Sequence, residues 1–198
     1  FVSGDCLLAL FARDTISPGD GVAVPIDTSL LVQDVVEAAG GTVTYTPVGD
    51  VNVAETVAES GYAFGGEPAG AWIWPDETRC PDGPLAACKL AALVSERGAR
   101  SALFDEFEAY PIRRESVETD EKASVMDRAS ERANSTYDAV ETIDGVRVEF
   151  DDGRFLVRAA YERDHVTYRH SAPWRGINRL EDAIAFRFVL EGRLVGFH

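Results

Sequence analysis

The sequence predicts an α/β protein: one β-α-β domain with a largely parallel sheet flanked by helices, followed by a small α+β domain with an antiparallel meander. Short apolar runs of strand character alternate with helical patterns in the first half of the chain, and such alternation builds parallel sheets. In the second half, Asp-Gly turn signals at 144–145 and 152–153 separate strand-like runs, which is typical of hairpins. The 198 residues leave room for both domains. We place them at 1–100 and 101–160, with a separate tail at 161–198.

The first domain is expected to alternate helices and strands. In order, these are a helix beginning near 4–5, a strand at 21–26, a helix at 27–40, a strand at 42–46, a helix ending at 61, a strand edge at 62–66, a strand at 71–75 and a helix at 82–97. Asp27 and Thr28 are expected to cap the second helix and Asp50 the third, because short polar side chains accept hydrogen bonds from the unpaired N–H groups of a first turn. A ligand role is the second possibility for Asp50. Gly61 is expected to end the third helix.

The second domain begins with a predicted strand at 112–118 and a charged helix from 120 to about 133. Three antiparallel strands are then expected within 139–159. The tail differs in composition, because it holds six arginines, five acidic residues and all three histidines. Its first part, YERDHVTYRHSAPWRG, has neither a helical nor a strand period.

Composition excludes several classes of function. The net charge of −15, from 34 acidic and 19 basic residues, makes nucleic acid a poor partner. Lysine occurs only at Lys89 and Lys122, and this pattern fits a solubilising acidic coat and a halophilic source. No apolar run reaches the roughly 18 residues of a membrane span. The three cysteines form no Cys-x-x-Cys pair, so we expect no disulfide framework or zinc site and a reducing, cytoplasmic location.

One loop, within FGGEPAGAWIWPD at 64–76, combines three glycines with a lone glutamate, Glu67. It is neither a Walker A loop nor a dinucleotide fingerprint, because the required spacings are missing. One interpretation is a tight connection between strands with an exposed glutamate. The other is a site for a hydroxyl-rich ligand, since a carboxylate accepts hydrogen bonds from two neighbouring hydroxyls and glycines let a ring approach the backbone.

Other candidates carry weaker signals. Trp72 and Trp74 are two residues apart on a predicted strand, which places them on one face, and packing is favoured over sugar stacking. His165 and His170 lie five residues apart in the aperiodic tail and give little support for a general base. No motif for a nucleophile is present.

The order of the segments resembles the C-terminal half of the α-D-phosphohexomutase superfamily, most closely its archaeal phosphoglucosamine mutase and phosphomannomutase/phosphoglucomutase members. The resemblance covers residues 1 to about 158, in the stretches FVSGDCLLALFA, IDTSLLVQDVVEAAGG, TPVGDVNVAE, FGGEPAGAWIWPD, CPDGPLAACKL, YPIRRESVE and DGVRVEFDDGRFLVR. The family has four domains, so the resemblance implies domain three plus most of domain four. The phosphoserine and the aspartates that bind Mg²⁺ in the family then lie outside this chain.

The resemblance identifies FGGEPAG with the family's sugar-selecting loop. It implies that Glu67 holds hydroxyls of a hexose ring, flanked by Gly65, Gly66 and Gly70. Many members have serine where this chain has Ala69, which implies the loss of one hydroxyl contact.

Arg158 corresponds to the arginine of the family's phosphate-holding loop, Arg-x-Ser-Gly-Thr. Here the next residues are Ala159, Ala160 and Tyr161, so the Ser-Gly-Thr is missing. The stretch AYERD, at 160–164, can be encoded so that reading one base later gives Arg-Thr-Ser-Gly-Thr. We hypothesise that a shifted reading frame near residue 159 produced the tail.

The function implied by the resemblance is a phosphosugar mutase that moves a phosphoryl group between O6 and O1 of a hexose or hexosamine phosphate, with phosphoglucosamine mutase placed first. This part would supply sugar and distal-phosphate recognition, contain no catalytic residue and be inactive alone. The alternatives are a phosphomannomutase/phosphoglucomutase, a non-catalytic remnant of a disrupted mutase gene, and an enzyme of another class on a nucleotide-binding α/β fold.

Overall fold

The computed structural model describes most of the chain as two compact units, Phe1–Ala109 and Tyr110–His198. The described residues are 2–98, 103–105, 107, 110, 112–118, 121–150, 153–159 and 165–171, and for 112–118, 150, 153–159 and 165–171 only the backbone is described. Within these ranges, every helix is too short or too polar to cross a membrane.

The first unit alternates helices and strands in the predicted order. Its elements are α1 (Gly4–Thr15), β1 (Gly21–Pro25), α2 (Leu30–Ala38), β2 (Thr42–Thr46), α3 (Asp50–Ser60), β3 (Phe64–Gly66), β4 (Trp72–Ile73) and α4 (Gly83–Arg97). The sheet has the order β2-β1-β3-β4. Strand β1 is parallel to β2 and β3, and the short β4 is antiparallel to β3. The predicted α/β class with a largely parallel sheet is confirmed.

Strand β1 is the centre of the core, because all five of its residues are buried. Helix α3 packs on one face of the sheet, where Val53 and Val57 contact Ala23 and Ile73. Helix α1 lies on the other face, together with α2. Burial of both faces is what a parallel strand flanked by helices requires.

The predicted cap of α2 is wrong, because the N-cap is Ser29 rather than Asp27 or Thr28. The Ser29 hydroxyl accepts a hydrogen bond from the Leu31 amide at 3.3 Å. The amide of Thr28 donates to the Pro25 carbonyl at 3.0 Å, so the chain first makes a turn after β1. That turn delays the start of the helix to Leu30.

The predicted cap of α3 is also wrong. Gly49 occupies the N-cap position with φ of 131°, and Asp50 is the first residue of the helix. A residue with a side chain rarely adopts this φ, so the entry into α3 depends on glycine. The predicted end is confirmed, since Gly61 adopts the left-handed conformation after Ser60.

The two tryptophans pack against α1, as the sequence favoured, with Trp74 buried in the core and Trp72 half-buried. The rings of Trp72 and Trp74 both meet the Phe11 ring edge-on, with centroids 5.1 Å apart in each pair. The indole N–H of Trp74 donates to the Thr15 hydroxyl at 2.9 Å. These contacts attach α1 to the strand that follows the glycine loop.

The second unit is an antiparallel sheet covered by one helix. Its elements are β5 (Ile112–Glu118), α5 (Lys122–Thr136), β6 (Val140–Glu141), β7 (Val146–Phe150), β8 (Gly153–Ala159) and β9 (His165–Ser171), with the sheet order β5-β9-β8-β7-β6. The predicted meander is formed by β6, β7 and β8. Buried alanines at 129 and 133 let α5 lie close to Val146 and Val148 of β7.

Strand β9 was not predicted. It lies between β5 and β8 and is antiparallel to both, with Val166 opposite Val117 on one side and Ala159 on the other. Pairing on both sides satisfies its backbone groups, so the strand forms without an alternating sequence. The remaining parts of the tail, 161–164 and 172–198, lie outside the described residues.

Candidate functional site

Three loops meet at one edge of the first sheet. They follow the parallel strands β1, β2 and β3 and comprise residues 26–29, 47–49 and 67–70. The carboxyl ends of parallel strands lie at the same edge, and ligands of open α/β sheets bind there. The first loop leads into α2 on one face of the sheet, and the second leads into α3 on the other face.

The loop at 67–70, called the Glu67 loop below, is a tight turn. The amide of Gly70 donates to the Glu67 carbonyl at 3.0 Å, and the amide of Glu67 donates to the Ala71 carbonyl at 2.7 Å. Gly70 has φ of 110°, a conformation that favours glycine. Pro68 occupies the second position of the turn, where its ring fixes φ. Ala69 and Gly70 are exposed, and Glu67 is half-buried.

The carboxylate of Glu67 connects two of the loops. Its Oε1 accepts a hydrogen bond from the amide of Gly49 at 2.8 Å. Gly49 is the N-cap of α3 and has no side chain with which to cap it, so Glu67 supplies an acceptor from another loop. A carboxylate is favoured at a helix N-terminus, and this contact fixes the direction of the side chain at the sheet edge.

The glycines of this segment differ in their surroundings. A methyl group on Gly65 would collide with Val57 and lie 2.8 Å from Val53 Cγ1, both on α3. A methyl group on Gly66 would lie 2.8 Å from the Ala71 carbonyl and 2.9 Å from Leu8 Cδ1 of α1. At these two positions the protein's own neighbouring atoms approach closely, and the predicted contact of Gly65 and Gly66 with a sugar stays a prediction. Around Gly70 there is open space.

The first turn of α1 also contributes to this edge of the sheet, which was not predicted from the sequence. Asp5 is 7% exposed, and its Oδ1 accepts a hydrogen bond from the amide of Ser29 at 2.8 Å. Gly4 lies directly against the carbonyl of Pro68. The sequence signal was weak, because an acidic residue in a first helical turn usually interacts only with its own helix.

The remaining candidates belong to other elements of the chain. Asp50 is exposed in the first turn of α3. Arg158 lies in β8, opposite Thr167 of β9, and its side chain is outside the described residues, so its proposed contact with phosphate stays a prediction. His165 and His170 lie in β9.

A magnesium site is not formed by the described residues, since among them no three His, Cys, Asp or Glu side chains are grouped closely enough to hold a metal ion. The described residues therefore do not fit the cation that the resemblance implies.

Comparison with known proteins supports the α/β fold of the first unit. Residues 3–110 match the family described as phosphoglucomutase/phosphomannomutase, alpha/beta/alpha domain III. A probable phosphoglucosamine mutase of Methanopyrus kandleri is 46% identical over 164 residues, which are 80% of this chain and 36% of that protein. The chain thus spans about a third of the length of the curated relatives it matches.

Solved structures share the fold. A phosphoglucomutase/phosphomannomutase family protein of Burkholderia thailandensis matches with a TM-score of 0.83 and 24% identity, over 99% of this chain and 44% of that one. N-acetylphosphoglucosamine mutase of Aspergillus fumigatus, in complex with GlcNAc-6P and magnesium, matches with a TM-score of 0.68 and 13% identity, over 96% of this chain and 44% of that one. The chain therefore belongs to the phosphoglucomutase/phosphomannomutase family, and residues 3–110 are its alpha/beta/alpha domain III.

Proposed function

We propose that this chain is the sugar-recognising part of a phosphosugar mutase that moves a phosphoryl group between O6 and O1 of a hexosamine phosphate. The observation that carries the proposal is the Glu67 carboxylate, held by the Gly49 amide at the carboxyl edge of the sheet. The 46% identity to a probable phosphoglucosamine mutase favours glucosamine phosphate over glucose or mannose phosphate as substrate.

Glu67 has chemistry suited to a sugar. An ionised carboxylate is only an acceptor, and it can receive hydrogen bonds at several lone-pair positions. The Gly49 amide fills one position on Oε1, and hydroxyl groups of a sugar ring are donors of the right kind for others. In the proposed reaction the bisphosphate intermediate must turn over within the site. Recognition of ring hydroxyls can serve both orientations of the bisphosphate, because the ring presents hydroxyl groups in each of them.

The other groups have lesser roles in the proposal. Gly70, with open space around it, lets a sugar ring approach the backbone. Ala69 offers no hydroxyl, so one hydrogen bond to the substrate is absent. Arg158 is proposed to bind the distal phosphate, since a guanidinium matches phosphate oxygens in charge and shape.

The chemical step belongs to parts of the family architecture that this chain does not match. A phosphoserine there would exchange the phosphoryl group, and Mg²⁺ would neutralise charge on the phosphoryl oxygens. Residues of this chain would bind and orient the sugar, which is a large part of catalysis in phosphoryl transfer. We further propose a cytoplasmic location, supported by the three free cysteines, Cys6, Cys80 and Cys88.

A second candidate function is a non-catalytic remnant. It is favoured by the absence of Ser-Gly-Thr after Arg158, because in the resembling family those hydroxyls and amides hold phosphate. A remnant would retain the Glu67 loop but give no turnover when the missing part is supplied.

A chimera tests the proposal. Residues 1–158 of this chain replace the matching part of the Methanopyrus kandleri protein, and conversion of glucosamine 6-phosphate is measured. We expect turnover, and we expect Glu67→Gln to lower kcat/KM by about 10- to 100-fold, because the amide loses the negative charge and replaces one of the two acceptor oxygens with a donor. Glu59→Gln, at an exposed position of α3, is the matched control and should leave kcat/KM unchanged.

Two results would contradict the proposal. Absence of turnover in a folded chimera favours the remnant. Thermal stabilisation of this chain by a nucleotide, with none by glucosamine 6-phosphate, favours an enzyme of another class.

A further inference from the structure

The first turn of α1 contacts two of the three loops at the site. Its start is fixed by Ser3, whose hydroxyl accepts a hydrogen bond from the Cys6 amide at 3.2 Å. The next residue, Gly4, lies against the Pro68 carbonyl of the Glu67 loop. Asp5 then binds the Ser29 amide at the start of α2. One helical turn therefore connects the loops that follow β1 and β3.

We propose that Gly4 is a positioning residue for Glu67: its missing side chain sets the place of the Pro68 carbonyl, and through it the direction of the Glu67 carboxylate. The inference rests on the proposed function only in its sugar-binding consequence. The positioning itself is a statement about the Glu67 loop and can be measured without a ligand.

The contact between Gly4 and Pro68 leaves no room for a methyl group. A Cβ built on Gly4 would overlap the Pro68 carbonyl oxygen, lie 2.8 Å from the carbonyl carbon and 3.3 Å from the Pro68 Cα. All three neighbours are backbone atoms, which cannot swing aside as the end of a flexible side chain can. Either the start of α1 or the turn must therefore move.

Displacement of Pro68 passes directly to Glu67. The proline ring fixes φ of Pro68, so the carbonyl shifts mainly through ψ of Pro68 or by movement of the whole turn. Both motions disturb the hydrogen bond from the Gly70 amide to the Glu67 carbonyl, which closes the turn at 3.0 Å. They also pull the Glu67 carboxylate away from the Gly49 amide, which it meets at 2.8 Å.

Helix formation alone does not explain a glycine at this position, because alanine is the better helix former. Gly83 provides the comparison within the same unit. It is also the first residue of a helix, follows a side-chain cap from Asp82, and has no atom within 4 Å of an added Cβ. Gly4 and Gly83 thus occupy equivalent helical positions, and only Gly4 meets another loop.

The test compares Gly4→Ala with Gly83→Ala in the 198-residue chain labelled with ¹⁵N. The amide resonances of Gly49 and Gly70 are recorded, and the affinity for glucosamine 6-phosphate is measured by titration at a temperature where each variant is fully folded. We expect Gly4→Ala to move both resonances and to weaken the affinity by about tenfold, the effect of one misaligned hydrogen bond to a charged group. Gly83→Ala should change neither resonance nor affinity.

Unchanged Gly49 and Gly70 resonances in a folded Gly4→Ala chain would overturn the inference. If both resonances move but the unmodified chain does not bind glucosamine 6-phosphate, the positioning stands and the proposed function fails. If Gly4→Ala does not fold, the contact between Gly4 and Pro68 is tested in the unmodified chain instead. A nuclear Overhauser effect between the α protons of Gly4 and Pro68 supports the inference, and its absence contradicts it.

Discussion

Replacement of Asp5 by alanine removes the buried hydrogen bond that joins the start of α1 to the start of α2. Asp5 is 7% exposed and Ser29 is 2% exposed, so water has little access to replace the bond of 2.8 Å between them. A hydrogen bond to a charged group contributes about 1.5–3 kcal/mol, and an acidic residue in a first helical turn contributes about 0.3–1 kcal/mol more. We therefore expect Asp5→Ala to lower the free energy of unfolding by about 3 kcal/mol.

The variant Asp5→Asn separates the contribution of the hydrogen bond from the contribution of the negative charge. It keeps a carbonyl oxygen that can accept the bond from Ser29 but loses the charge, and we expect a cost of about 1 kcal/mol. Asp50→Ala is the matched control, because Asp50 is also an acid in a first helical turn but is exposed. Its replacement should cost less than about 1 kcal/mol.

Urea unfolding followed by tryptophan fluorescence measures these values. Trp72 and Trp74 are packed in the first unit, so a Trp174→Phe background restricts the signal to that unit. If Asp5→Ala costs no more than Asp50→Ala, the bond between Asp5 and Ser29 does not stabilise the fold, and the argument for a link between the loops is refuted.

Three further predictions concern the glycine loop and the tail. Gly65→Ala should lower the free energy of unfolding by about 1–3 kcal/mol, because its methyl group meets Val53 and Val57; a cost no larger than that of Gly83→Ala in urea unfolding would contradict this. Ala69→Ser should tighten the binding of glucosamine 6-phosphate by about two- to tenfold, because it adds one neutral hydrogen bond; unchanged affinity in a titration would mean that position 69 does not face the sugar. Sequencing of the gene should recover a Ser-Gly-Thr codon series by a single frame shift near residue 159, and the hypothesis fails if no single shift does so.

Local sequence patterns predicted the elements of the first unit well. The apolar run before a turn predicted β1, and the left-handed glycine at 61 ended α3 where expected. The alternation of such elements was sufficient for the α/β class, because it leaves few ways to bury both faces of a parallel sheet. The glycine loop was also located correctly between β3 and β4.

Contacts between distant residues were beyond these patterns. The carboxylate that accepts a hydrogen bond from the N-cap amide of α3 is 18 residues away, and the glycine at the start of α1 is required by a proline in another loop. Neither Glu67 as the partner of Gly49 nor Pro68 as the neighbour of Gly4 can be identified from the residues next to them in the sequence. Strand β9 was missed for a related reason, since its two neighbouring strands, and not its own period, determine its conformation.

The central claim is that the Glu67 carboxylate binds ring hydroxyls of a phosphorylated sugar. A crystal structure of this chain with glucosamine 6-phosphate tests it most directly. We predict a carboxylate oxygen of Glu67 within about 3.2 Å of a ring hydroxyl, with Oε1 still bonded to the Gly49 amide. A sugar phosphate bound in the crystal without contact to Glu67 would contradict the account.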